Sequence, residues 1–171
     1  VITVIVVQQS TFMWRKELWH PMVVHVPIAT LCLATLVGVL LLFNPNEKNG
    51  SFLTRSFTWL LGIGGTTAWL AIYTGLWSYN TEVRRICDPT VLKSHLWWGY
   101  CTTILYTAGF LLFFMRRRIV PLKRLLIYCA VILTLAGAAS LGYTGHLGAS
   151  LVYQQGAGVR QPAADCGELQ R

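Results

Sequence analysis

Four side chains in this sequence have the chemistry to bind a metal or move a proton near neutral pH, and they are not scattered. His20 and His25 open the first apolar run, His95 opens the third, and His146 closes the fourth. In four antiparallel helices those positions share one edge. Imidazole is the commonest metal ligand and a poor neighbour for lipid. The pattern therefore points to a haem or metal site near one face of a membrane. A lone interfacial histidine is ordinarily just an amphipathic residue near water. Four at one depth, on three helices, argue against that plain reading.

The densest motif is His20-Pro21-Met22-Val23-Val24-His25-Val26-Pro27. Pro21 suits the first turn of a helix, and Pro27, further in, should distort the start of the span. The two histidines are five residues apart, which is roughly 140° around a helix axis. They cannot easily address the same atom. His20 is expected in the interface, and His25 about one turn deeper. His95 follows Lys93-Ser94 and precedes Trp97-Trp98, an aromatic pair that fits the interfacial belt. His146 lies in Gly142-Tyr143-Thr144-Gly145-His146-Leu147-Gly148, where three glycines leave its ring unobstructed. His25 with His95 is the preferred ligand pair, since both lie inside their spans. His20 with His146 could hold a second, lateral haem.

The inventory favours haem over a bare ion. Copper and zinc sites usually add Cys, Met or carboxylate ligands. Near the histidines acids are scarce: Glu82 and Asp88 sit in the second loop, and Met22 lies between the first two histidines. Haem needs axial ligands, an apolar slot and cations for its propionates. Arg84, Arg85 and Lys93 could supply the cations, although a solvated loop charge run is an equally good reading of them. No Cys-x-x-Cys-His is present, which argues for haem b rather than covalent attachment. No phosphate loop, dinucleotide fingerprint or serine elbow appears. Cys32, Cys101 and Cys129 fall within spans and read as packing residues. Cys87 and Cys166 fall outside them, where a disulfide could tie the tail to the second loop.

The elements that must position these residues follow from composition. The chain is 54% hydrophobic and 12% charged, against about 25% charged for a soluble domain. Four helical spans are expected, at 21–43, 52–79, 91–115 and 119–143, the last extending as far as 153. The turn Asn44-Pro45-Asn46-Glu47-Lys48-Asn49-Gly50 stops the first, and Arg116-Arg117-Arg118 the third. Met13, followed by Trp14-Arg15-Lys16, is expected to be the start, so 1–12 is set aside as an extension. Residues 13–155 form the four-span domain and 156–171 a polar tail. The run Ala136-Gly137-Ala138-Ala139-Ser140 lets helices approach closely, or leaves room for a flat cofactor.

The net charge of +8 is carried by loops, which fits membrane topology and argues against nucleic acid as a partner. The two sides tie at seven bases each. Clustering of five of them in 116–124 places that loop in the cytoplasm. Both termini and all four histidines then face outward, the periplasm if the membrane is a bacterial inner membrane.

The first motif, continued through Ile28-Ala29, resembles the His-Pro-x-x-Val-His-Phe-Pro-Ile-Ala signature of an uncharacterised bacterial four-span membrane domain. Lys93-Ser94-His95 matches it weakly. Gly145-His146-Leu147-Gly148-Ala149-Ser150-Leu151-Val152-Tyr153-Gln154-Gln155-Gly156-Ala157-Gly158-Val159 matches it specifically. Val26 departs from the signature's Phe, and His146 stands where many members carry another residue. The resemblance implies a cytochrome-like, redox-associated domain found beside c-type cytochrome modules. The expectation is a haem b-binding electron-transfer subunit, working between a quinone or neighbouring subunit and a periplasmic partner. The alternatives are a non-catalytic anchor or assembly subunit of a respiratory complex, and a copper- or zinc-binding or transport protein.

Overall fold

A computed structural model describes residues 16–44, 51–84 and 86–159. The described residues are helical, without a sheet: α1 (Lys16–Val23), α2 (His25–Leu42), α3 (Phe52–Glu82), α4 (Pro89–Met115) and α5 (Lys123–Gln155). A 3-10 turn at Val120–Leu122 leads into α5. Three stretches are long and apolar enough to cross a membrane: Leu18–Leu42, Pro89–Met115 and Val120–Gln155. The fourth rod, α3, is as long, but its Gly, Thr and Trp residues lower its hydropathy.

Helix ends follow local chemistry. Asp88 caps α4, accepting from Thr90 N–H at 2.9 Å and the Thr90 hydroxyl at 2.6 Å, with Pro89 at the first helical position. α5 ends at Gly156, whose φ of +68° suits a residue without a Cβ. There Gly156 N–H bonds Val152 O, and Ala157 N–H reaches back to Leu151 O. The first rod differs from expectation at its prolines. The helix reaches back to Lys16, so Pro21 lies inside α1 rather than in its first turn. α1 and α2 are separated only at Val24, which keeps helical dihedrals (φ −62°, ψ −22°), and Pro27, in the first turn of α2, is buried. The last rod takes the longer of the two expected extents.

The rods pack in a ring, α2 against α3, α3 against α4, α4 against α5, and α5 against α2, with α1 lying on α3. The core holds Leu31, Ala34, Phe57, Leu61, Tyr106, Phe113, Ala130 and Val131. Tyr106 crosses the ring from α4 to the Thr35 hydroxyl of α2 at 2.9 Å. Its ring fills the space left by Gly137, where a Cβ would meet it at 2.9 Å. Leu31 fills the space at Gly64 in the same way, at 2.5 Å. At these two positions the small residues serve helix packing, not a cofactor slot. Leu33, Leu36 and Leu40 on α2, Leu111 and Phe114 on α4, and Ile132 and Leu135 on α5 all point outward. Apolar faces on several sides of one bundle are what a lipid-facing surface needs and exceed what a soluble monomer exposes.

Candidate functional site

The structure brings two histidine rings together, His20 of α1 and His95 of α4. Their centroids are 6.2 Å apart and their planes nearly perpendicular, at 86°. Each ring is held through Nδ1 by a carbonyl on a helix other than its own. His20 Nδ1 bonds Ala71 O of α3 at 2.9 Å, and His95 Nδ1 bonds Thr144 O of α5 at 3.0 Å. A carbonyl only accepts, so both rings carry a proton on Nδ1, and in the neutral ring Nε2 is the nitrogen left to bind a ligand. Neither Nε2 has a hydrogen-bond partner among the described residues, and neither is among the sealed, unpartnered polar atoms. Both therefore stay open to a ligand.

Glycines shape the backs of the rings. A Cβ at Gly75 would stand 3.1 Å from Cε1 and Nδ1 of His20, and one at Gly148 would stand 3.2 Å from Cε1 of His95. Hydroxyls lock α4 to α5 beside His95: Thr102 meets Ser140 at 2.8 Å and Thr144 at 3.3 Å. Beyond the pair, the α3–α4 connection is tied to the end of α5. Asp88 N–H donates to Gln155 Oε1 at 3.0 Å, and Gly158 N–H donates to the buried Glu82 carboxylate at 3.0 Å. Ile86, Leu92 and Leu151 close this end with a small apolar cluster.

The pairing differs from that expected from the sequence. His20, half-buried, faces inward, whereas His25 is exposed on the outer face of α2. The spacing of about 140° permits only one of the two to point at the bundle interior, and contact of α1 with α3 selects His20. His146 is exposed and stacks on Tyr143, centroids 6.4 Å apart, while the ring beside His20 is that of His95. Of the three glycines around His146, Gly148 makes room for His95, while Gly142 and Gly145 have nothing within 4 Å. Arg84 and Lys93 are exposed at the histidine end. Arg85 and Cys166 lie outside the described residues, and with Cys166 so does the Cys87–Cys166 disulfide. Cys87 is exposed. The sequence reading missed Gly75, Gly148, Thr102 and Ser140. Small and hydroxyl residues near a histidine were visible, but which helix faces which was not.

The fold and this site define a helical membrane protein with a two-histidine centre at one end. Residues 18–161 match a protein family described as predicted membrane protein (DUF2231), and the chain belongs to that family. No curated protein and no solved structure matches the chain.

Proposed function

We propose that the chain is a haem b-binding electron-transfer subunit of a bacterial inner membrane, crossing it four times with the histidine end and both termini on the periplasmic side. The carrying observation is the His20–His95 pair. Two imidazoles this close, on neighbouring helices, would hold a haem iron between them. The centroid separation is 6.2 Å. Ligating histidines usually donate their other N–H to a carbonyl or carboxylate, and both rings do so. No group of three or more His, Cys, Asp and Glu gathers among the described residues. A two-nitrogen donor set would suit a cofactor that supplies its metal's other ligands itself. When bound, haem supplies one-electron transfer. The protein's residues orient the two rings, hold Nδ1 protonated and keep water from the apolar side. Arg84 and Lys93 sit where they can attract propionates, with Arg85 between them in sequence. Electrons would pass between a quinone or a neighbouring subunit and a periplasmic c-type cytochrome.

The test is the reduced-minus-oxidised optical spectrum of protein purified after haem-sufficient expression. A low-spin haem b spectrum is expected, lost or converted to high spin in His20→Ala and in His95→Ala, and retained in His25→Ala and His146→Ala. A wild-type protein with no Soret band sinks the reading. Loss in His25→Ala with retention in His20→Ala would instead restore the pairing expected from the sequence. Should the protein bind stoichiometric copper or zinc and no haem, the metal-binding alternative takes its place.

A further inference from the structure

The opposite end of the bundle holds a buried cation with no acid beside it among the described residues. Arg116 follows the last residue of α4 and is 2% exposed. Its guanidinium lies over the Phe113 ring, 3.3 Å from the centroid, and Nη1 donates to Phe113 O. Nη2 is sealed and has no hydrogen-bond partner among the described residues. Phe113 packs edge-on against Phe57 of α3, centroids 4.6 Å apart. Phe57 lies five residues past the start of α3, or about 8 Å along the axis. Arg116 is therefore close to the N-terminus of α3, where the Ser51 hydroxyl satisfies Thr54 N–H and the first amides carry the positive end of the helix dipole. Arg117, Arg118, Arg124 and Arg55 are exposed around it. The acids whose side chains are described, Glu82 and Asp88, both lie at the histidine end. Burying an unpaired cation is unfavourable unless an anion meets it.

Topology alone explains exposed loop bases, but it does not require a buried one. Directly beside this basic corner are exposed apolar side chains: Phe52 at the start of α3, Phe114 and Met115 at the end of α4, and Val120 before α5. A ligand meeting both would carry an anionic head and an apolar body. We infer that this corner binds the phosphate of an anionic phospholipid headgroup, with Arg116 as its fork-shaped donor, the α3 N-terminus as its second positive element, and Phe52 and Phe114 against its acyl chains. The guanidinium, now folded onto Phe113, reaches the phosphate by rotation about its outer torsions, as long basic side chains at helix ends commonly do.

The full chain in neutral detergent is titrated with phosphatidylglycerol, phosphatidylcholine or inorganic phosphate, and lipid retained through native mass spectrometry and the unfolding midpoint are recorded. Phosphatidylglycerol is expected to raise the midpoint and be retained, and phosphatidylcholine and phosphate to do neither. Arg116→Gln should lower retention at least tenfold. Arg116→Lys, which keeps the charge but loses the fork, should fall between, and Arg118→Gln should change retention less than twofold. If Arg116→Gln does not fold, Arg116→Lys against Arg118→Gln decides. Equal retention of phosphatidylglycerol and phosphatidylcholine overturns the proposal, as does equal loss in the Arg116 and Arg118 variants. A full response to inorganic phosphate alone would show a free-anion site instead of a lipid site.

Discussion

Gly145 and Gly148 stand one turn apart on α5, and alanine at each should separate the packing of His95 from the general effect of removing a glycine. A Cβ at Gly145 meets nothing within 4 Å. One at Gly148 would lie 3.2 Å from Cε1 and 3.5 Å from Nδ1 of His95. Carbon contacts are most favourable at about 3.5–4.0 Å, so the ring must retreat by a few tenths of an ångström. Its Nδ1···O bond to Thr144 is already 3.0 Å long, and retreat weakens it. Replacing a helical glycine by alanine gains about 1 kcal/mol, and this term is common to both variants. Gly148→Ala alone loses about 1 kcal/mol from the weakened hydrogen bond and about 1 kcal/mol from overpacking. It should therefore be about 2 kcal/mol less stable than Gly145→Ala, and about 1 kcal/mol less stable than the unmodified chain. Reversible unfolding in mixed micelles measures the difference. Imidazole nitrogen NMR should show the His95 ring disturbed in Gly148→Ala only. If the two variants agree to within about 0.5 kcal/mol, His95 is not held against α5 as described.

Two further predictions concern the scaffold. Tyr106→Phe removes the hydroxyl that joins α4 to α2 through Thr35, while Thr35 keeps its bond to Leu31 O. Unfolding should show a loss of about 1 kcal/mol, and Thr35→Val should add little in the Tyr106→Phe background; fully additive losses would mean the two hydroxyls do not act together. The hydrogen bond from the Thr90 hydroxyl, and next that from its N–H, hold the Asp88 carboxyl below its ordinary value of 3.8. A depressed folded-state value stabilises α4's first turn above the unfolded value, and that stabilisation is lost as pH falls through the folded one. Amide exchange in that turn should be faster in Asp88→Ala than in the unmodified chain at pH 6, with the gap closing below pH 4 and Asp88→Asn keeping most of the protection. A gap that does not change with pH would remove the carboxylate from this role.

Most of the architecture was legible in the sequence because each boundary has a local cause. α2 ends at Leu42, just before Asn44-Pro45 in the sequence, the arginine run ends α4, and Pro89 after Asp88 begins α4. The first rod also has local causes, since Pro21 is tolerated inside a helix that starts earlier and the break between α1 and α2 at Val24 precedes Pro27, which has no N–H to donate. The site was legible only in part. Periodicity established that His20 and His25 face different ways, but depth in the span was the wrong guide to which one turns inward. Orientation was decided by Ala71 and Gly75, one turn apart on α3, which offer an acceptor and a space to a ring coming from α1. A single sequence does not reveal that such a glycine faces a histidine fifty-five residues earlier. The same blindness assigned the glycines near His146 to His146, although Gly148 serves His95.

The site is consequently a property of the assembled rods. His20 depends on α3, His95 depends on α5, and the two rings meet only if α3 and α4 are in register. That register is fixed at the end of the bundle, where Gln155 holds the amide of Asp88 and Glu82 holds that of Gly158. The proposed function rests on this arrangement, two imidazoles positioned through four helices, each with Nδ1 engaged. On the proposed reading the chemistry belongs to His20 and His95, whereas His25 and His146 are exposed and, among the described residues, have no hydrogen bond to a second helix.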